Sequence, residues 1–157
     1  MRATFKGALA ALAAVALAGC SQTGAQSPTE APSASLSPEV RQLVGVMTSE
    51  TRAKLLAAAE KFDADHCEVH IQRNNATPEW SACLDTRNDL AGLAGRLEDD
   101  LTMRQAPPAE LDDLVTRTSH ALQGVRATAK NGTDPKLLTL SLQILRGNVQ
   151  EWSALKG

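Results

Sequence analysis

Sequence signals for the start of a helix occur at several places in this chain. Ser37-Pro38, Thr77-Pro78 and Asp134-Pro135 each pair a good N-cap side chain with a proline at the first helical position. A proline there costs no hydrogen bond, whereas a proline inside a helix or a central strand removes one. Together with Pro107-Pro108, which breaks the chain, these pairs divide the C-terminal three quarters of the sequence into four segments that begin as helices.

The apolar residues in these segments recur at three- and four-residue steps, which is typical of amphipathic helices. Leu and Ala dominate, and β-branched residues never form an alternating run. Helix 1 is predicted from Pro38 to at least Ala64, helix 2 from Pro78 to near Met103, helix 3 from Pro107-Pro108 to Asn131-Gly132, and helix 4 after Asp134-Pro135. The apolar arc of helix 4 is the widest, about 200°, so this helix should be the most buried or should face a partner.

The first twenty residues have the three parts of a secretory signal. Arg2 and Lys6 precede an apolar run from Ala8 to Ala18, which is shorter than the roughly twenty residues that span a membrane. The run ends in Leu17-Ala18-Gly19-Cys20, which resembles the lipobox of bacterial lipoproteins. The resemblance implies cleavage before Cys20 and a diacylglycerol anchor with palmitate-type chains on its thiol. The alternative is an ordinary signal that is cut elsewhere and leaves Cys20 as a free thiol.

Three regions follow from this pattern: a lipoprotein signal peptide (1–19), a lipidated cysteine with a flexible linker (20–37) and a helical domain (38–157). The linker is rich in Ser, Thr, Pro and Gln and has one charge, Glu30, so it lacks the apolar surface that would offset the entropy of ordering. We expect an extracytoplasmic chain that is lipid-anchored to the cell membrane, or to the outer membrane of a cell that has two.

Two cysteines, Cys67 and Cys83, remain for the helical domain, and in an exported protein such a pair is usually bridged. They flank the turn at residues 74–77 symmetrically, so an antiparallel hairpin places them at the same height. An unbroken helix 1 would point Cys67 to solvent, and we therefore predict an irregularity near Asp63 to Asp65. A redox-active pair is the alternative, although no Cys-x-x-Cys motif is present.

Short connections between long helices favour antiparallel neighbours. The sequence therefore predicts an all-α domain, an antiparallel up-down four-helix bundle with one disulfide across the hairpin of helices 1 and 2. Its size suits one core. The alternative is a pair of helical hairpins that completes its core by dimerising.

The charge pattern argues against nucleic acid as a partner. Without Arg2 and Lys6 the chain keeps 14 of its 16 basic residues against 18 acidic residues, and the two signs alternate with no basic patch. Aromatic residues are few, so base stacking has little support. The membrane, through the lipid anchor, and an envelope protein or polymer are the expected partners.

One polar cluster suggests a metal site. His66 and His70 are four residues apart, so on a helix both imidazoles face one ion, and Asp63 would add an oxygen ligand. Zinc or copper would suit these donors. The alternative is an exposed polar helix end beside a disulfide with no cofactor at all, because no second ligand pair and no HExxH motif accompany the histidines.

Trp80 and Trp152 are predicted partner-binding residues, since tryptophan is enriched where interfaces carry most of their binding energy. Trp80 has a second interpretation, packing over the disulfide. No nucleophile elbow or paired buried carboxylates are present, so we expect no enzyme. The predicted function is a noncatalytic, lipid-anchored interaction module of the cell envelope. The alternative is a metal- or small-ligand-binding lipoprotein that uses His66 and His70.

Overall fold

Every regular element in the described part of the chain is a helix, which confirms the predicted all-α class. The computed structural model describes residues 36–103, 106–132 and 134–155. Its helices are α1 (Pro38–Val46), α2 (Glu50–Ala64), α3 (Cys67–Arg73), α4 (Pro78–Thr102), α5 (Asp112–Asn131) and α6 (Pro135–Ala154). The predicted signal peptide, the lipidation site Cys20 and nearly all of the linker lie outside the described residues.

The first predicted helix is divided, so the prediction of one continuous helix from Pro38 to Ala64 is wrong. Helix α1 ends at Val46 and α2 begins at Glu50. Ser49 makes the break possible, because its hydroxyl caps α2 by accepting a hydrogen bond from the Arg52 amide at 3.4 Å. Met47, inside the break, is buried, so the apolar stripe continues across it.

The joint between α2 and α3 confirms the predicted irregularity. Helix α2 stops at Ala64, and His66 adopts the left-handed conformation with φ 51°. This residue turns the chain so that Cys67 starts α3 on the core side, where it is fully buried. The predicted disulfide to Cys83 of α4 is confirmed, with the two Cα atoms 5.2 Å apart.

Helix α5 begins later than the sequence suggests. Pro107-Pro108 opens a turn rather than the helix itself, and the Leu111 amide donates to the Pro108 carbonyl at 2.8 Å. The first helical residue is Asp112. The predicted end is confirmed, since Gly132 follows α5 with φ 58°.

The core lies between α2, α4, α5 and α6. Helix α4 packs against α2 and α5, and α6 packs against α5 and α3. A hydrogen bond crosses the core, where the Trp152 indole Nε1 donates to the Thr118 hydroxyl at 2.9 Å. The largest side chains that are fully buried with these two are Phe62, Met47, Leu55, Leu90, Leu97, Leu122, Leu138, Leu142 and Leu145.

Candidate functional site

The predicted metal ligands lie where α2 joins α3. Asp63 forms an ion pair across to α6, with its Oδ2 atom 2.7 Å from Nη1 of Arg146. His66 is exposed at the joint, and His70 is half-buried one turn into α3. The left-handed conformation of His66 means that no continuous helix carries all three residues.

The described ranges 36–103, 106–132 and 134–155 contain no group of three His, Cys, Asp or Glu side chains placed to hold one metal ion. Neighbouring Glu68 is also engaged, because its Oε2 accepts a hydrogen bond from the Thr139 hydroxyl at 2.9 Å. The carboxylates at this joint therefore fasten α2 and α3 to α6. The zinc or copper site stays a prediction.

The two tryptophans occupy different environments. Trp80 is half-buried in the first turn of α4, where its backbone amide donates to the capping hydroxyl of Thr77 at 3.2 Å. Trp152 lies in the core with 1% of its surface exposed. Its indole serves the contact between α5 and α6. Partner binding by Trp80 and by Trp152 stays a prediction.

Helix α6 leaves a row of large apolar side chains in solvent. Leu137, Leu140 and Ile144 are 49%, 52% and 52% exposed. At three- and four-residue steps they form one stripe along the helix, which we call the α6 ridge. A separate, core-facing side of α6 carries the buried residues of this helix, so the ridge is additional to what the fold requires.

A groove runs beside the α6 ridge, between α5 and α6. It has a volume of about 330 Å³, and Ile144 belongs to both the ridge and the groove wall. Small residues keep it open, since a Cβ atom added at Gly124 would lie 3.2 Å from the Ser141 Oγ atom. The α5–α6 surface therefore presents a raised apolar edge next to a hollow.

Charged groups close one end of this surface. The Arg117 guanidinium donates to both carboxylate oxygens of Glu151, at 2.9 and 2.8 Å, and to Asp113 at 2.8 Å. The hydrogen bonds from Arg117 lower the pKa of Glu151 below its ordinary value. Asn148 is buried beside them. Its oxygen accepts a bond from Arg117 at 3.3 Å, and its nitrogen has no hydrogen-bond partner in the part of the chain that the structure describes.

One signal for the α6 ridge is present in the sequence. An apolar arc of about 200° is wider than one core-facing side of a helix needs, and the surplus is now visible as exposed side chains. The periodicity alone does not separate the core residues of that arc from the exposed ones, because the separation depends on where α5 lies against α6.

Comparison with protein-family models, with curated proteins and with solved structures finds no match to this chain. Among the helices that the structure describes, none combines the length and the apolar character that crossing a membrane requires.

Proposed function

We propose that this chain is a noncatalytic, lipid-anchored protein of the cell envelope, and that its helical domain binds another macromolecule through the α6 ridge. One observation carries the proposal. Leu137, Leu140 and Ile144 stand about half exposed in a row, on a helix whose core-facing side is already complete. A single exposed leucine needs no explanation, whereas a contiguous apolar stripe usually marks a contact surface.

The free energy of burying apolar surface favours a bound partner on the α6 ridge. Covering apolar area contributes roughly 25 cal/mol per Å², so a partner that buries the ridge gains free energy that the isolated domain does not use. Helix faces with anchors at three- and four-residue steps are a common means of helix-in-groove recognition. The proposed partners are envelope proteins or polymers, because the alternating charges of the sequence do not favour nucleic acid.

The anchor part of the proposal depends on Leu17-Ala18-Gly19-Cys20, which resembles the lipobox. Two or more acyl chains on Cys20 would hold the domain at a membrane, since a single chain binds only marginally. The domain would then meet partners that are confined to the same envelope. Because the domain and its partners would be confined together, a small apolar surface would be sufficient for binding.

We infer that α2, α4, α5 and α6 are the four helices of the up-down bundle expected from the sequence. In support of this, contacts join α2 to α4, α4 to α5 and α5 to α6, and α2 also touches α6. The short helices α1 and α3 would then be additions to one corner of the bundle. The disulfide would clip α3 onto α4.

The test uses the full chain in a bacterial host that lipidates exported proteins. Wild type should sediment with membranes and carry acyl chains on its N-terminal peptide, whereas Cys20→Ser should not. In native gels of mildly solubilised membranes, wild type should migrate above its monomer. Leu140→Lys should return it to the monomer, because a charge on the α6 ridge opposes burial.

The matched control is Val69→Lys, which changes an apolar side chain that is 41% exposed on α3. We expect this variant to keep the slower migration of wild type. A wild-type chain that is monomeric in its own membrane, or equal behaviour of the two lysine variants, would contradict the binding proposal. A chain that lacks acyl groups would contradict the anchor alone.

A further inference from the structure

The α5–α6 surface is complementary to itself. The α6 ridge is convex and the groove beside it is concave, and both lie on one face of one chain. A two-fold axis through such a face, near Ile144, crosses the two α6 ridges and lays each ridge alongside the hollow of the other copy, which is the arrangement of an isologous dimer. A partner of unrelated shape would need only one of the two features.

Beyond Ile144, the residues that continue the α6 ridge favour the packing of two copies against each other. After Ile144 come Gly147 and Glu151, again at steps of three and four. Gly147 is exposed, and a Cβ atom placed there would find nothing within 4 Å. In an antiparallel crossing centred near Ile144, Leu140 of one copy meets the gap at Gly147 of the other.

The charged residues at the two ends of α6 favour the same antiparallel crossing. Lys136 is exposed at the start of α6, about 40° around the helix from Leu140, and forms no ion pair within the described residues. Glu151 is exposed at the far end, with half of its side chain in solvent beside Arg117. An antiparallel crossing brings Lys136 of each copy to Glu151 of the other. A parallel crossing would instead place like charges together, which is unfavourable.

We propose that the occupant of the α6 ridge is a second copy of this chain, packed antiparallel about Ile144, with Leu140 seated over Gly147 and Lys136 paired with Glu151. This inference rests on the proposed function in taking the ridge as the contact surface and in placing both copies on one membrane. A stable complex buries about 800 Å² from each partner, and three half-exposed side chains with the flank of α5 supply only part of that area. Two chains anchored in one membrane meet at a raised effective concentration, which suits a contact of this size.

A zero-length carbodiimide crosslinker tests the register directly, because it joins an amine to a carboxylate only where the two touch. Within one copy, Lys136 and Glu151 are separated by fifteen residues of helix, about 22 Å, and they do not meet. A linked peptide that contains both residues therefore comes from two copies. The experiment uses membranes that contain the full chain, followed by mass spectrometry of the dimer band.

We expect a dimer band with Lys136 linked to Glu151, reduced at least tenfold in Leu140→Lys and unchanged within about twofold in Val69→Lys. Lys136→Glu and Glu151→Lys should each abolish this link. Together in one chain they should restore it with amine and carboxylate exchanged, which mere unfolding would not do.

Wild-type membranes without a dimer band, or a dimer whose links exclude this pair, would overturn the second copy as the occupant. An adduct between the α6 ridge and a different protein would also overturn it, while leaving the proposed function standing. Conversely, a Lys136–Glu151 link that forms in a chain without acyl groups would uphold the dimer and contradict only the anchor.

Discussion

Removing the disulfide between Cys67 and Cys83 should cost about 3 kcal/mol of unfolding free energy. The bridge spans a sequence separation of 16, and the chain-entropy model gives about this value for a loop of that length. Small domains are stable by only about 5–15 kcal/mol, so the loss is a large fraction of the total. The perturbation is the double substitution Cys67→Ala with Cys83→Ala.

The structure adds a local expectation. Helix α3 has seven residues, too few to be stable without tertiary contacts. It is held to its neighbours by the bridge, by the buried side chain of Ile71 and by the bond from Thr139 to Glu68. Amide hydrogen exchange in α3 should therefore accelerate more than exchange in the centre of α5.

Urea unfolding followed by circular dichroism measures the global effect, and wild type unfolded with a reducing agent is the control. Reduced wild type and the double variant should lose similar free energy, since both lose the same constraint. A loss below about 1 kcal/mol would refute the loop-closure argument. A large loss in the double variant alone would assign the effect to packing of the two sulfur atoms.

Three further predictions concern single positions, each measured by urea unfolding. Thr118→Val should lower the unfolding free energy by about 1–3 kcal/mol, because it leaves the buried indole N–H of Trp152 without an acceptor. Its control, Thr116→Val at an exposed site of α5, should change the unfolding free energy little. Gly132→Ala should lower the unfolding free energy by about 1–2 kcal/mol, since the φ of Gly132 is positive and the new Cβ would lie 2.6 Å from a nitrogen of Arg87. Its control, Gly92→Ala in open space on α4, should raise the unfolding free energy by about 0.5–1 kcal/mol. Equal effects within either pair would contradict the structural reason given. Glu151→Gln should lower stability at neutral pH. Because the folded pKa of this carboxyl is depressed, the difference from wild type should close as the pH falls below the ordinary value of 4.5, and a difference that persists in acid would contradict the ion pair.

Much of the fold is predictable because its signals are local. The hydroxyls of Ser37 and Thr77 and the carboxylate of Asp134 all cap the helices that the sequence assigns to them. Gly132 ends α5 because a left-handed residue is needed there. The disulfide followed from two cysteines placed symmetrically about a turn, and it required the irregularity that His66 provides.

The features that the sequence did not predict depend on tertiary contacts or on competing local signals. The break at Ser49 was hidden because the apolar stripe keeps its phase on both sides, although a serine followed by Glu50 is a start signal in its own right. The role of Trp152 was decided by Thr118, a residue 34 positions away. The ion pair of Asp63 with Arg146 joins residues that are even farther apart in sequence, so no local pattern reveals that this carboxylate is occupied.

Site-specific photo-crosslinking in living cells tests whether the α6 ridge is the surface through which this chain binds another macromolecule. A photoreactive phenylalanine analogue replaces Leu140 in one full-length chain and Val69 in another, two apolar positions of comparable exposure on different helices. We expect a discrete adduct on irradiation from position 140 and none from position 69. Adducts from position 69 alone, or none from position 140 in a chain that folds and reaches the membrane, would contradict binding through the α6 ridge.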